Sequence, residues 1–244
     1  MQYTGGKQKS GGAQIAKLIN AMIGGRELRV YLEPFCGALS VLQRVHATTR
    51  VAADACQALI TFHQAVQDGW VPPDAMTREQ WEGYKANPDP EDPMTALAGF
   101  GCSRGGAWFA SYVDKYKFTK RVVHPAFAAS QSARKKMAKC QDVRFVYRDY
   151  RRSPKADVVY CDPPYANTLG YPAVGEFDHE EFWSWATERS KTDLLVVSEM
   201  AAPDNFVAVL RFDIQSRIAT KSGGRRTEFL FAHVDQAATW EEYL

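Results

Sequence analysis

Four short apolar runs in this chain end at, or run into, an acidic residue, and that pattern limits the fold more than any other feature. They are "LRVYLEP" (28–34), "RVAADA" (50–55), "VRFVYRD" (143–149) and "ADVVYCD" (156–162). Each reads as a buried strand that delivers polar chemistry at its carboxyl end. Helical spacing lies between them. Ile15, Leu18, Ile19 and Met22 mark a helix before the first run. Leu39, Leu42 and Val45 predict another after the turn "FCGALS", and "LITFHQAVQDGW" predicts a third that closes near Gly69. Strand–helix alternation of this kind builds a parallel sheet with helices on its faces. It resumes late in the chain with the helix "DHEEFWSWATERS", where Asp178 is placed to cap and Glu181 follows three residues on, and with the strand "DLLVVSE". The tail "FDIQSRIATKSGGRRTEFLFAHV" predicts a β-hairpin around a Gly-Gly turn.

The texture changes in between. Prolines and acids crowd "VPPDAMTREQWEGYKANPDPEDPM", and Gly, aromatic and basic residues mix in "TALAGFGCSRGGAWFASYVDKYKFTKRVV". Residues 66–139 are therefore expected to form an insert with its own small structure, and the helix "FAASQSARKKMAKC" leads out of it. Over 244 residues, a 45% hydrophobic and 24% charged composition is that of an ordinary globular protein. The net charge of +2 is too mild to announce a polyanionic partner, so any basic surface must be local. Five cysteines with no Cys-x-x-Cys pair argue against a zinc site and a disulfide framework. No apolar run approaches the roughly 18 residues of a membrane span. The polar start "MQYTGGKQKSGGAQ" lacks the apolar core of a signal peptide. A cytoplasmic monomer without metal or membrane partner is expected.

Ligands of open α/β sheets bind beyond the carboxyl ends of the strands. There the chain places the turn Glu33–Ser40, in which Gly37 lets the backbone approach a ligand, then Asp54, Asp149-Tyr150 and Asp162-Pro163-Pro164-Tyr165. Asp54, some 20 residues beyond the first strand, suits hydrogen bonds from ribose hydroxyls. No G-x-G-x-x-G and no P-loop occurs, which disfavours pyrophosphate cofactors and nucleoside triphosphates. A ribose-bearing cofactor without phosphate, S-adenosylmethionine, fits better. Asp162 and the carbonyl of Pro163 can accept the two N–H bonds of a nucleobase amine. The nitrogen lone pair, otherwise delocalised into the ring, then localises toward an electrophilic methyl. Proline lacks its own N–H, and its fixed φ stiffens the corner. Tyr165 offers a ring for stacking.

These elements in this order resemble the Dam-type, alpha-group DNA adenine-N6 methyltransferases. The resemblance runs through Tyr3-Thr4-Gly5-Gly6-Lys7, then Glu33-Pro34-Phe35-Cys36-Gly37-Ala38-Leu39-Ser40, Asp54, Asp149-Tyr150, "DPPY" at 162–165, and Lys221-Ser222-Gly223-Gly224-Arg225 followed by Thr227, Glu228 and Leu230. One departure is Ala38, where many members carry a second glycine. The resemblance implies an α/β, Rossmann-like S-adenosylmethionine-dependent methyltransferase sheet, mostly parallel with an antiparallel C-terminal hairpin. It implies a discontinuous catalytic domain (1–65 and 140–244) and a target-recognition insert (66–139). It implies a cofactor site from Tyr3, Lys7, Glu33, Phe35, Gly37, Ala38, Leu39, Ser40, Asp54, Asp149, Tyr150 and Asp162, with Lys7 pairing the methionyl carboxylate and Tyr3 packing on the cofactor. Asp162, Pro163 and Tyr165 would be catalytic, acting on N6 of an adenine flipped out of double-stranded DNA. N4 of cytosine is the alternative target, and a catalytically silent DNA-binding protein the non-enzymatic one. Arg104 and Trp108 are candidates for reading DNA, with Lys115 and Lys117. Phosphate contacts are expected from Lys221, Arg225 and Arg226, and from Lys120, Arg121, Arg134, Lys135 and Lys136.

Overall fold

The computed structural model describes residues 11–118, 121–165, 175–215 and 225–244, with side chains omitted at 116–118, 121, 213–215 and 225–226. Helix α1 (Gly11–Arg26) precedes the first strand, β1 (Val30–Glu33). β2 (Thr49–Asp54) and α2 (Gln57–Gln67) follow, then the insert with α3 (Arg78–Ala86), α4 (Pro93–Ala96) and the short hairpin β3 (Tyr116–Phe118) and β4 (Arg121–Val123). α5 (Pro125–Met137) leads to β5 (Arg144–Tyr147), β6 (Val158–Cys161), α6 (His179–Arg189) and β7 (Leu194–Glu199). β8 (Phe206–Gln215), β9 (Arg225–His233) and α7 (Val234–Glu241) close the chain.

Seven strands form one sheet in the order β5-β2-β1-β6-β7-β9-β8. The first five are parallel, and β9 runs antiparallel to both β7 and β8. This is an α/β Rossmann-like sheet, mostly parallel with an antiparallel C-terminal pair, as the sequence predicts. Chain order reverses between β1 and β6, which makes that junction the switch point where a crevice opens above the sheet. Asp157 pins the junction from below: its Oδ2 accepts the N–H groups of Arg29 (2.7 Å) and Val30 (2.8 Å).

Side chains two apart on a strand share a face, so each strand feeds two cores. Tyr31, Ala52, Val158 and Tyr160 join one apolar cluster with α1, α2, α5 and α7. Leu32, Ala53, Val159 and Cys161 join the other, against α6. The insert shares the first cluster through Met76, Trp81, Leu97, Phe100 and Phe109. Its α3 carries a complete capping box, in which Thr77 and Gln80 satisfy each other's backbone N–H groups. Trp81 is anchored by its indole N–H, which reaches the Ala98 carbonyl and the Ser103 hydroxyl, both at 3.0 Å.

One expectation needs correction. No α-helix follows the first turn; residues 42–44 make a single 3₁₀ turn. Residues 34–41 are spent on the turn itself and β2 begins at Thr49, which leaves too little chain for helix and return. Leu39, Val41, Leu42 and Val45 are buried all the same. Asn20 of α1 holds this crossover, donating to the Arg44 carbonyl and accepting from the His46 N–H, both at 2.8 Å. Helix α7 follows the predicted hairpin, and its Trp240 is fully buried. The hairpin arms pair from Phe206↔His233 to Gln215↔Arg225, and its Gly-Gly turn lies outside the described residues.

Candidate active site

Parallel strands put their carboxyl ends along one edge, and period-2 alternation decides which face each acid takes. Glu33 follows Tyr31 by two residues, Asp54 follows Ala52, and Asp162 follows Tyr160. All three carboxyls therefore leave the face covered by α1, α2 and α5. Glu33 is buried and accepts a 2.6 Å hydrogen bond from the Tyr31 hydroxyl. Burial pushes its pKa up to about 8, and the nearby Asp162 charge pushes the same way. Asp54 is buried too, and burial raises it to about 6 against the pull of backbone N–H donors. Its Oδ2 accepts from the Gly37 N–H and its Oδ1 from the Cys56 N–H, both at 3.0 Å. One carboxylate thus couples the turn after β1 to the turn after β2.

The turn itself is tightly held. The Cys36 N–H donates to the Ala53 carbonyl (2.9 Å), and the Leu39 N–H to the Cys36 carbonyl (2.8 Å). The Gly37 carbonyl meets Nε2 of His63 from α2 at 2.8 Å. The Ala38 carbonyl accepts from Nζ of Lys136 on α5, and the Ser40 carbonyl from Nη1 of Arg44. Gly37 sits at φ 45° and Leu39 at φ 59°. The conformational cost of lacking a second glycine therefore falls on Leu39 and not on Ala38, since a β-carbon at positive φ is strained. The hydroxyl of Ser40 is buried and meets no hydrogen-bonding partner in the described structure. An orphaned donor beside a turn of this shape suits a polar ligand end.

Asp162 opens the segment that follows β6. It is half-buried, Pro163 and Pro164 are buried, and Tyr165 is half-buried. Asp149 and Tyr150 stand at the end of edge strand β5, toward the α6 side. The Asp149 carboxylate is gripped by Arg151 through two 2.8 Å bonds, which hold its pKa below the usual carboxylate range. Arg151 also reaches Glu181 on α6 (2.9 Å). Tyr150 packs among Phe35 (5.4 Å between ring centroids), Phe177, Phe182 and Trp185.

No family model matches the chain, and no curated protein matches it. Solved structures resemble it in fold. One is the rRNA methyltransferase AviRa from Streptomyces viridochromogenes, at 13% identity over 95% of this chain and 87% of that one, with a TM-score of 0.40. Another is a proposed class I S-adenosylmethionine-dependent methyltransferase from Listeria monocytogenes, at 10% identity over 94% of this chain and 61% of that one, with a TM-score of 0.41. Likeness at this level carries no argument about chemistry, which rests on the residues themselves.

The structure brings Glu33, Gly37, Ala38, Leu39, Ser40, Asp54 and Asp162 to one strand edge, with Phe35, Asp149 and Tyr150 beside the neighbouring α6 face. Tyr3, Lys7, Lys120 and Lys221 lie outside the described residues. In the insert, Arg104 and Lys115 are exposed, while Trp108 packs against Phe100 and Phe109 (4.7 Å each) above Gly99. Lys117 lies in β3, Arg121 in β4, and Arg225 and Arg226 open β9. Of the basic run on α5, Arg134 and Lys135 face solvent, but Lys136 is buried at the turn, which corrects its reading as a phosphate contact. A cleft of about 550 Å³ lies within the insert, between Met76–Arg78, Tyr112, Asp114 and His124.

The contacts of Lys136 and His63 with the turn are what sequence reasoning missed. Lys136 had a signal: it continues the buried stripe Ala126, Ala129, Ser130, Ala133 at helical spacing. All five cysteines are buried free thiols. Among the described residues no His/Cys/Asp/Glu group could hold a metal, and no helix is long and apolar enough to cross a membrane.

Proposed function

We propose that this protein transfers a methyl group from S-adenosylmethionine to N6 of a flipped-out adenine in double-stranded DNA. One observation carries the reading. The Asp162-Pro163-Pro164-Tyr165 corner and the Gly37 turn flank the same switch point, because β1 and β6 are hydrogen-bonded neighbours with aligned carboxyl ends. Asp54 is placed to accept from ribose hydroxyls, since each of its oxygens keeps a lone pair beyond the backbone bond it already receives. The turn at 37–40, with the orphaned Ser40 hydroxyl, takes the methionyl end together with Tyr3 and Lys7. When bound, the cofactor supplies a sulfonium-borne methyl carbon.

The chain's own residues prepare the amine. The Asp162 carboxylate and the Pro163 carbonyl accept its two N–H bonds, and the localised lone pair points along the line of attack. Tyr165 stacks on the extruded base, and the stacking returns part of the few kcal/mol spent on unpairing it. Such acceptors act most strongly in a dry, preorganised site. No thiol is required, which agrees with five buried cysteines. The insert (66–139) reads the target, with Arg104 and Lys115 on its exposed surface.

The test is incubation of unmethylated DNA and of RNA with radiolabelled cofactor, followed by nucleoside analysis. N6-methyladenine in DNA is the expected product. Label found only as N4-methylcytosine, only in RNA, or nowhere would overturn the assignment.

A further inference from the structure

The carbonyls of Gly37 and Ala38 are held by donors from two helices that lie outside the turn: Nε2 of His63 on α2 (2.8 Å) and Nζ of Lys136 on α5. Both side chains are buried, neither belongs to the resembled motifs, and the chemistry proposed above uses neither. Burial lowers the His63 pKa to about 3, so the ring is neutral at physiological pH. A neutral ring that meets a carbonyl through Nε2 carries its proton there and donates it. The ring is fixed by stacking on Phe145, with centroids 5.4 Å apart.

A peptide unit whose carbonyl is pulled one way turns the next N–H the other way. With the Gly37 carbonyl drawn into the protein the Ala38 N–H faces away from it, and with the Ala38 carbonyl drawn in the Leu39 N–H closes the turn on the Cys36 carbonyl, while the preceding Gly37 N–H meets Asp54. The N–H groups of Ala38 and Ser40 meet no acceptor among the described residues, and the Ser40 hydroxyl is orphaned beside them. Backbone with alternating left- and right-handed residues gathers such N–H groups into a concavity for anions. The left-handed Leu39 persists because its surroundings hold it there.

We propose that His63 and Lys136 are positioning residues for cofactor binding: His63, by clamping the Gly37 carbonyl, aims the Ala38 N–H at a carboxylate-bearing ligand end, and Lys136, by clamping the Ala38 carbonyl, fixes the peptide that leads into the left-handed Leu39, on which the placing of the Ser40 N–H and hydroxyl depends. The inference rests on the assignment of this turn to the methionyl end of S-adenosylmethionine.

The test compares the full chain with His63→Phe, which keeps the stacked ring but not the donor, with His63→Gln, whose amide nitrogen restores it, and with Lys136→Met. Calorimetric titration gives the cofactor Kd, and steady-state methylation of unmethylated genomic DNA gives KM and kcat. The Phe and Met variants should raise Kd and cofactor KM about tenfold, the loss of one aimed hydrogen-bond set. At saturating cofactor kcat should stay within about threefold, and His63→Gln should recover most of the affinity. A lower melting temperature with unchanged Kd and KM would mean a merely structural role and would overturn the proposal. Should His63→Phe not fold, Lys136→Met and His63→Gln read the same split. A wild-type chain that binds no cofactor overturns the assignment of the turn itself; a wild-type chain that binds while its variants bind equally well overturns only the clamp.

Discussion

Replacing Asp54 by asparagine separates the two tasks of that carboxyl. Its pKa rises from 3.8 unfolded to about 6 folded, chiefly through burial. At roughly 1.4 kcal/mol per pH unit, keeping it ionised in the fold costs about 3 kcal/mol. A carboxyl whose pKa is higher folded than unfolded holds its proton more tightly in the folded state. Its stabilising contribution is therefore full below pH 3.8 and lost as the pH rises through about 6. The substituted amide does not titrate. It keeps one acceptor and turns its NH₂ toward either the Gly37 or the Cys56 N–H, which costs about 1–3 kcal/mol. At pH 8 that cost and the relief from burying a charge nearly cancel, so the two proteins should unfold at similar urea concentrations. By pH 4.5 the wild type should have regained about 2 kcal/mol that the variant cannot. Cofactor affinity should fall at least about tenfold at pH 8, where folding is intact, because a ribose hydroxyl loses a charged acceptor. The assay is urea denaturation in half-unit pH steps, with cofactor titration at pH 8. Parallel stability curves from pH 8 to 4.5 would refute the buried-carboxylate reasoning.

Three further outcomes can be checked. Asp162→Ala should cut methyl transfer by at least about 100-fold while the circular dichroism spectrum stays native; near-normal turnover would remove Asp162 from the mechanism. Glu27→Gly should raise stability by about 1 kcal/mol, some 2–4 °C in melting temperature. Glu27 is exposed at φ 54° just past α1, where Leu28 N–H closes on the Ile23 carbonyl (3.1 Å) and glycine fits without strain. Arg50→Ala should cost about 1–3 kcal/mol in chemical denaturation. That buried guanidinium pairs with Asp142 and donates to the carbonyls of Leu42 (3.2 Å), Val45 (3.3 Å) and Lys139 (2.8 Å), of which Leu42 keeps the Val45 N–H (3.1 Å) when the guanidinium is removed.

The sheet is legible in the sequence because its signals are local. An apolar run that stops at an acid can be read in one window: β1, β2, β5 and β6 appear where the four such runs named first occur, and β7 where "DLLVVSE" does. The cap at Asp178, which accepts from the Glu181 N–H at 2.9 Å, is legible for the same reason. The crossover after Gly37 misleads because helical spacing in Leu39, Leu42 and Val45 is satisfied equally by a coiled, buried segment. Nothing in that spacing records how little chain remains before β2. Sequence comparison places the strain of the turn one residue early, at Ala38, because a motif compares letters and not φ angles. Lys136 is hidden by its neighbours: in "ARKKMAK" the charge run outweighs the apolar stripe unless the helix is phased first. His63 cannot be found from sequence, since its role depends on a carbonyl 26 residues away.

The two sides of the crevice at the switch point come from distant parts of the chain, with Tyr31 registered against Val158. During synthesis, β1 can pair with β2 soon after both emerge, but its other edge has no native partner until the ribosome has passed Asp162. The half-built sheet therefore carries an open flank through the whole translation of the insert, and a truncated product keeps it. Nascent chains stalled before and after β6 should differ sharply in aggregation, and only the longer ones can assemble a crevice at all.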